Sequence, residues 1–142
     1  MKRIIPALAL LAAVAAVFVG SVRAEDTKTK SATPARIAHG ERVNLADYVV
    51  PGKTTIFDFT CEFCPPCRAI APAMHKLHAD RADIVVVEVD LNRPGTKGID
   101  WHSPVAQQFG LESIPHFKVY GPNGKLKAEG DEAYELVTGM LH

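Results

Sequence analysis

Cysteine is scarce in this sequence and is confined to one short stretch. The 142-residue chain has three cysteines, all within Cys61–Cys67. A small exported protein that depends on disulfides for stability carries an even number of cysteines spread along its length. A disulfide that closes so short a loop removes little entropy from the unfolded chain. These cysteines therefore do not form a stabilising framework, and their clustering points to chemistry.

The sequence also lacks an excess of charge of either sign. It has 16 basic and 16 acidic residues, and the first 24 positions hold three of the basic ones and none of the acidic ones. The rest of the chain therefore has 13 basic residues against 16 acidic residues. Because a protein that binds nucleic acid usually presents a basic surface, we expect no nucleic-acid partner.

Residues 1–24 differ in composition from everything that follows. Two basic residues precede an unbroken apolar run, Ala7–Val19, and the segment ends in Val22-Arg23-Ala24. This pattern is typical of a secretory signal peptide, so the sequence predicts a periplasmic or otherwise exported protein. The alternative is an uncleaved membrane anchor, because Ile4–Val22 approaches the roughly 17 to 25 apolar residues that span a bilayer.

The remaining 118 residues suffice for one domain and are too few for two. Residues 25–35 are polar and rich in Thr, Lys and Ser, which predicts a flexible linker. Residues 36–142 then form the predicted folded domain. We expect it to be monomeric.

Strand and helix patterns alternate through this domain. Strands are predicted at Thr54–Thr60, Ile84–Asp90, His116–Tyr120 and Lys125–Glu129. Helices are predicted at Arg68–Ala79, from Pro104 to Gly110, and at Asp131–Leu141. A helix that joins two buried strands predicts a right-handed crossover and parallel pairing. In the first helix, His75 and His78 fall off the apolar stripe.

Cys64-Pro65-Pro66-Cys67 lies where the first of these strands leads into a helix. A C-x-x-C pair at this place is a dithiol that can close into a disulfide and open again. Cys64 comes at the start of the helix, where unpaired N–H groups and the helix dipole favour a thiolate. This position predicts a reactive cysteine.

The third cysteine, Cys61, has two interpretations. It could be an inert, small, buried hydrophobic residue. Alternatively, the three cysteines could hold a metal ion, or Cys61 could exchange with Cys64. An iron–sulfur cluster normally takes four cysteines, and haem attachment requires C-x-x-C-H, so neither pattern is met. Copper or zinc bound with help from His75, His78 or His116 stays an open alternative.

Asp58 stands out in its strand because it lies between Phe57 and Phe59. It could be on an exposed face, as most carboxylates are. If it is buried, its pKa is raised and it can exchange protons near neutral pH.

Three motifs together resemble the thioredoxin superfamily, specifically its exported bacterial thioredoxin-like proteins. They are Phe57-Asp58-Phe59, the cysteine pair followed by Pro72, and Ser113-Ile114-Pro115 before the third strand. The resemblance runs from about residue 35 to the C terminus. It implies an α/β fold, the thioredoxin-like three-layer α/β/α sandwich with a central mixed β-sheet.

The resemblance also implies roles for individual residues. Cys64 is similar to the attacking cysteine and Cys67 to the resolving one. Asp58 falls on the buried acid behind the dithiol and could accept the proton that Cys67 loses. Pro115 falls on the cis proline beside the dithiol, and Ile114 would offer its backbone to an extended substrate.

The sequence departs from the family pattern near the dithiol. Phe63 replaces the usual tryptophan before the first cysteine. Pro65-Pro66 replaces the Gly-Pro of thioredoxins, which stiffens the turn and removes the Pro65 backbone N–H as a donor to the sulfur. His116 could favour the thiolate of Cys64 or face solvent. Pro65, Pro66, His116 and Cys61 are therefore possible modulators.

These observations predict an exported thiol–disulfide oxidoreductase, a reductant or isomerase-type exchanger and not a strong oxidant. Its partners would be protein thiols and disulfides, with a membrane thiol protein as electron donor. No cofactor or metal is expected beyond the redox-active Cys64–Cys67 disulfide. The alternative function is a thioredoxin-like copper or zinc carrier.

Overall fold

A computed structural model describes residues 30–142 of the chain. The predicted signal peptide and the first five positions of the predicted linker lie outside the described residues. The domain boundaries proposed from the sequence therefore stay predictions. Within residues 30–142, no helix is both long and apolar enough to cross a membrane.

Five strands form one mixed sheet in the order β1-β3-β2-β4-β5. The strands are β1 (Ala35–Ile37), β2 (Thr54–Thr60), β3 (Ile84–Asp90), β4 (His116–Tyr120) and β5 (Leu126–Glu129). Strand β3 pairs in parallel with both β1 and β2, whereas β4 pairs antiparallel with its two neighbours, β2 and β5. Strand β3, which is parallel to both of its neighbours, is rich in valine and isoleucine, as expected where both faces of a sheet are covered.

Three helices cover the sheet: α1 (Pro65–Asp80), α2 (Pro104–Phe109) and α3 (Asp131–Gly139). Helix α2 begins after Ser103, whose hydroxyl accepts from the N–H of Ala106, and it ends at Gly110 in the left-handed conformation with φ 58°. A short 3-10 helix at Leu45–Tyr48 is capped by Asn44. Helix α1 continues through Pro72.

Two apolar cores lie on opposite faces of the sheet. On one face, Phe57 and Phe59 of β2 pack with Val105 and Ala106 of α2. On the other, Ile56 packs with residues of α1 and α3. Because side chains alternate along a strand, Asp58 shares the face of Ile56, under α1. The predicted three-layer α/β/α sandwich with a mixed sheet is confirmed.

The placement of His78 off the apolar side of its helix was wrong. The residue is only 3% exposed. Its Nδ1 accepts the N–H of Val86, and its Nε2 lies 3.0 Å from the carbonyl oxygen of Ser31. Strand β1 pairs with β3 only from Val87 onward, so the imidazole satisfies a backbone group that the short β1 does not reach.

Candidate active site

The site centres on a disulfide between Cys64 and Cys67. The two residues are three positions apart, and their Cα atoms are 5.3 Å apart. Both are almost completely buried, Cys64 with 1% of its surface exposed and Cys67 with 2%. The pair lies immediately after β2, at the carboxyl end of the parallel strands, where α/β folds commonly place their sites.

The N terminus of α1 positions Cys64. This residue is the N-cap, and its Sγ accepts the backbone N–H of Cys67 at 3.3 Å. The N-terminal N–H groups and the helix dipole stabilise negative charge at this position. The arrangement therefore favours the thiolate of Cys64 once the disulfide opens.

The Ile114–Pro115 peptide, which is cis, lies against the dithiol. The carbonyl oxygen of Ile114 is 3.7 Å from Cys64 Sγ. Both residues are half-buried, and Ile114 packs against the cysteine cluster. The structure thus brings two widely separated sequence motifs together, as the resemblance implied. Beside them, Phe63 is 39% exposed and presents an aromatic ring at the rim.

Cys61 is a free thiol, 2% exposed, in contact with the other two cysteines. Burial raises the pKa of this thiol. A buried thiol with a raised pKa is a poor nucleophile, because the thiolate is the reactive form. These properties agree with the interpretation of Cys61 as a small hydrophobic neighbour.

Asp58 is buried, with 2% of its surface exposed. Its Oδ1 has no hydrogen-bond partner among residues 30–142. Burial, with a smaller contribution from the negative charge of Glu88, raises its pKa to about 7, and Arg36 opposes this shift. Asp58 can therefore take up and release a proton near neutral pH.

A charged cluster of four further residues lies next to Asp58, and the sequence interpretation missed it. Glu88 accepts from Arg36 Nη1 at 3.0 Å on one carboxylate oxygen and lies 2.6 Å from His75 Nε2 on the other. Arg36 also donates to Asp90 at 3.1 Å. The available signal was Glu88 itself, an acidic residue within the apolar run of β3.

The possible modulators lie at different depths. Pro65 and Pro66 are exposed at the first two positions of α1. His116 stacks edge-on against Phe59, and its Nε2 lies 3.7 Å from Glu129. Burial lowers the pKa of His116. Its nearest charged partner is therefore Glu129, on the far side of the sheet from α1.

Two of the three histidines named for a metal site are hydrogen-bonded elsewhere, whereas Nε2 of His116 is buried without a hydrogen-bond partner among the described residues. His75 contacts Glu88, His78 contacts two backbone groups, and His116 faces Glu129. Within the described part of the chain, no group of three or more His, Cys, Asp or Glu side chains is arranged to hold a metal ion. The geometry of residues 30–142 offers no support for the copper or zinc alternative.

A family model described as Thioredoxin matches residues 38–140. Among curated proteins, the chain is 34% identical over 87 residues to a thioredoxin H-type of Brassica oleracea, covering 61% of this chain and 58% of the relative. It is 31% identical over 96 residues to a thioredoxin of Streptomyces clavuligerus, covering 66% of this chain and 73% of the relative. The chain spans little more than half the length of the plant relatives that it matches.

Solved structures show the same fold. A thioredoxin from Trypanosoma brucei brucei superposes with a TM-score of 0.57 at 16% identity, covering 80% of this chain and 92% of that one. A chain from the complex of ferredoxin:thioredoxin reductase with thioredoxin f2 gives a TM-score of 0.56 at 21% identity, covering 78% and 94%. At these identities the likeness establishes the fold.

Proposed function

The chain belongs to the thioredoxin family of thiol–disulfide oxidoreductases, and from that premise we propose that it exchanges disulfides with protein cysteines through Cys64 and Cys67. The observation that carries the proposal is the Cys64–Cys67 disulfide with Cys64 at the N-cap of α1. No cofactor is required, because the two sulfur atoms hold the two electrons that are transferred.

The first step uses the thiolate of Cys64. It attacks one sulfur of a substrate disulfide, and a mixed disulfide forms while the other substrate sulfur leaves as a thiolate. The half-buried backbone of Ile114 lies 3.7 Å from Cys64 Sγ and is placed to pair with an extended substrate segment. Pro115 next to it has no N–H group of its own and shapes this face.

The second step uses Cys67. Its thiol loses a proton to Asp58, and the resulting thiolate attacks Cys64 Sγ. The substrate then leaves as a dithiol, and Cys64–Cys67 is left as the disulfide. Two electrons have moved from the protein to the substrate, and the substrate thiolates take up the protons.

We assign the reductive direction to this chain, with isomerase-type exchange as a related activity. It is supported by Asp58, because removal of the Cys67 proton speeds the step that completes reduction of the substrate. Export of the protein is supported by the composition of residues 1–24. A reductant in an oxidising compartment needs electrons, so the proposal includes a membrane-embedded thiol protein as donor.

A turnover assay tests the proposal. Reduction of insulin, with dithiothreitol as the electron source, should be accelerated by the wild-type protein. Cys64→Ser and Cys67→Ser should each fall to the rate measured without protein, whereas Cys61→Ala should retain activity because it leaves the pair intact. If the Cys64→Ser and Cys67→Ser variants reduced insulin as fast as the wild type, the assignment would be lost.

A further inference from the structure

Asp58 is almost completely shielded from solvent. It is 2% exposed, and its Oδ1 lacks a partner among the described residues. A group that accepts a proton from Cys67 in each cycle must also release that proton before the next cycle. The residues around Asp58 therefore decide where the proton goes.

Glu88 is the neighbour best placed to receive it. It is the Cα partner of Asp58 on the adjacent parallel strand, and both side chains lie on the face under α1. Adjacent strands are about 4.8 Å apart, so the two carboxyl groups are within reach of direct contact or of one bridging water. Oε1 of Glu88 lies 2.6 Å from Nε2 of His75.

His75 connects this pair to solvent. Its side chain is 45% exposed, whereas that of Glu88 is 10% exposed. An imidazole can accept a proton on one ring nitrogen and release one from the other. We propose that Glu88 and His75 form a proton route that connects Asp58 to solvent during disulfide exchange.

The other charged groups on this face hold the route in place. From β1, Arg36 donates to Glu88 and Asp90, and its positive charge keeps Glu88 close to its partners. On β3, the carboxylate of Asp90 accepts hydrogen bonds from Arg36 and from the backbone N–H of Asn92. The titratable groups of β4 alternate with Phe117 and Val119 and lie on the opposite face; they are His116, Lys118 and Tyr120.

The proton moves in four transfers. Cys67 gives its proton to Asp58, and Asp58 passes it to the carboxylate of Glu88. Glu88 then protonates Nε2 of neutral His75, and the imidazolium releases its Nδ1 proton to water. Asp58 and Glu88 return to the ionised state, and His75 returns to a neutral ring that carries its proton on Nε2. Proton exchange between the ring and water moves this proton back to Nδ1 before the next cycle. When the dithiol is regenerated, the same groups can carry a proton inward.

The test is the rate of repeated turnover with excess disulfide substrate and saturating dithiothreitol, at low buffer concentration near pH 7. His75→Ala should slow this rate by about tenfold, less than the hundredfold or greater contribution typical of a positioned base, because Asp58 remains. Added imidazole should restore the rate of His75→Ala in proportion to its concentration. The wild type should not respond to imidazole.

His75→Gln is the matched control, because an amide can still donate a hydrogen bond to Glu88 but cannot relay a proton. It should be as slow as His75→Ala. A wild-type rate in His75→Gln would assign His75 a structural role and overturn the route. The route would also be overturned if His75→Ala reacted slowly and added imidazole did not restore its rate.

The inference rests on the proposed role of Asp58, and one more variant separates the two. Asp58→Asn should be slow with or without imidazole. If Asp58→Asn reacted at the wild-type rate, the role proposed for Asp58 would fail, and the route with it. If Asp58→Asn were slow while both His75 variants were fast, the role of Asp58 would stand and the proton route alone would be wrong.

Discussion

Asp58 of β2 and Glu88 of β3 are Cα partners on adjacent parallel strands, so two carboxyl groups lie side by side beneath α1. Their surroundings differ. Glu88 has a hydrogen bond from Arg36 and a contact with His75, whereas Oδ1 of Asp58 has no partner within residues 30–142. Two negative charges at this spacing repel each other, so Glu88 raises the pKa of Asp58 in addition to the increase caused by burial. Because of these different surroundings, Asp58 is the residue of the pair that holds the exchangeable proton.

Asp58→Asn should stabilise the folded protein above pH 7. The pKa of Asp58 is about 7 in the folded protein against an ordinary 3.8. Between these values the folded state holds a proton that the unfolded state has lost, so the free energy of unfolding falls as pH rises through this window. Since one pKa unit corresponds to about 1.4 kcal/mol, the loss is at most about 4 kcal/mol. Asparagine cannot ionise, so Asp58→Asn does not have this loss of stability.

Urea unfolding of the oxidised wild type and Asp58→Asn at pH 4 and pH 8 measures this effect. The stability advantage of the variant should be larger by about 2 to 4 kcal/mol at pH 8 than at pH 4. An advantage that did not change with pH would show that Asp58 titrates normally in the folded protein.

Glu88→Gln should lower the pKa of Asp58. The substitution removes the neighbouring negative charge that raises this pKa and leaves the opposing charge of Arg36. We expect a decrease of about one unit, measured by NMR titration of the Asp58 carboxyl carbon. Glu129→Gln is the control, because Glu129 contacts Lys118 and lies away from this cluster. An unchanged Asp58 pKa in Glu88→Gln would contradict the coupling between the two carboxyl groups.

His78→Ala should destabilise the fold. The N–H of Val86 donates to Nδ1 of His78, and alanine leaves this buried donor without an acceptor, at a cost of about 1 to 3 kcal/mol. His78→Asn should lose less, because its side-chain oxygen can replace Nδ1. Urea unfolding at pH 8 separates the two, and equal losses would show that the hydrogen bond to Val86 contributes little.

The same residue predicts an acid effect. Burial lowers the pKa of His78 below its ordinary 6.5. As pH falls below 6.5, the unfolded state binds a proton that the folded state resists, so the free energy of unfolding decreases. This part of the pH dependence should be absent from His78→Asn. Parallel pH profiles for the wild type and the variant would contradict it.

The two prolines between the cysteines should differ in their effect on the reduction potential. The side chain of an N-cap residue accepts from the N–H of the second or third helical residue. Cys67 is the third and donates to Cys64, whereas Pro66 is the second and has no N–H. Pro66→Ala restores a donor to the Cys64 thiolate, which stabilises the reduced protein and should raise the potential by about 30 mV, since 30 mV is about 1.4 kcal/mol.

Pro65→Ala is the matched control for this prediction. It restores the N–H of residue 65, which the sequence predicts as a donor to the sulfur. The structure places this residue at the first helical position, which is not a usual donor to the N-cap side chain. Its reduction potential should shift less than that of Pro66→Ala when both are equilibrated with glutathione. A larger shift in Pro65→Ala would contradict the hydrogen-bond argument.

Local signals in the sequence were sufficient for the main helices and strands and for the dithiol, whereas the three-layer arrangement was implied by the resemblance to the thioredoxin superfamily. Ser103, Pro104 and Gly110 mark the bounds of α2, and the C-x-x-C spacing after a β-branched run places the disulfide at the start of α1. These features depend on a residue and its near neighbours along the chain. Local physical chemistry is therefore enough to predict them.

The charged cluster could not be predicted in the same way. Arg36, Glu88 and His75 come from three elements, and they meet only because β1 and β2 flank β3 while α1 covers that face. His78 shows the same limitation, since its burial follows from the backbone group that the short β1 leaves unpaired. Such contacts depend on strand order and register, which one sequence pattern does not determine.

The reduction potential of the Cys64–Cys67 pair tests the central claim most directly. It can be measured by equilibrating the protein in glutathione or dithiothreitol buffers and trapping free thiols by alkylation. A protein-disulfide reductant should have a potential below about −200 mV, in the range of thioredoxin and glutaredoxins, whereas a strong oxidant lies near −120 mV. A value below about −200 mV is the result that we predict, and a value above about −150 mV would contradict the assignment of this chain as a reductant.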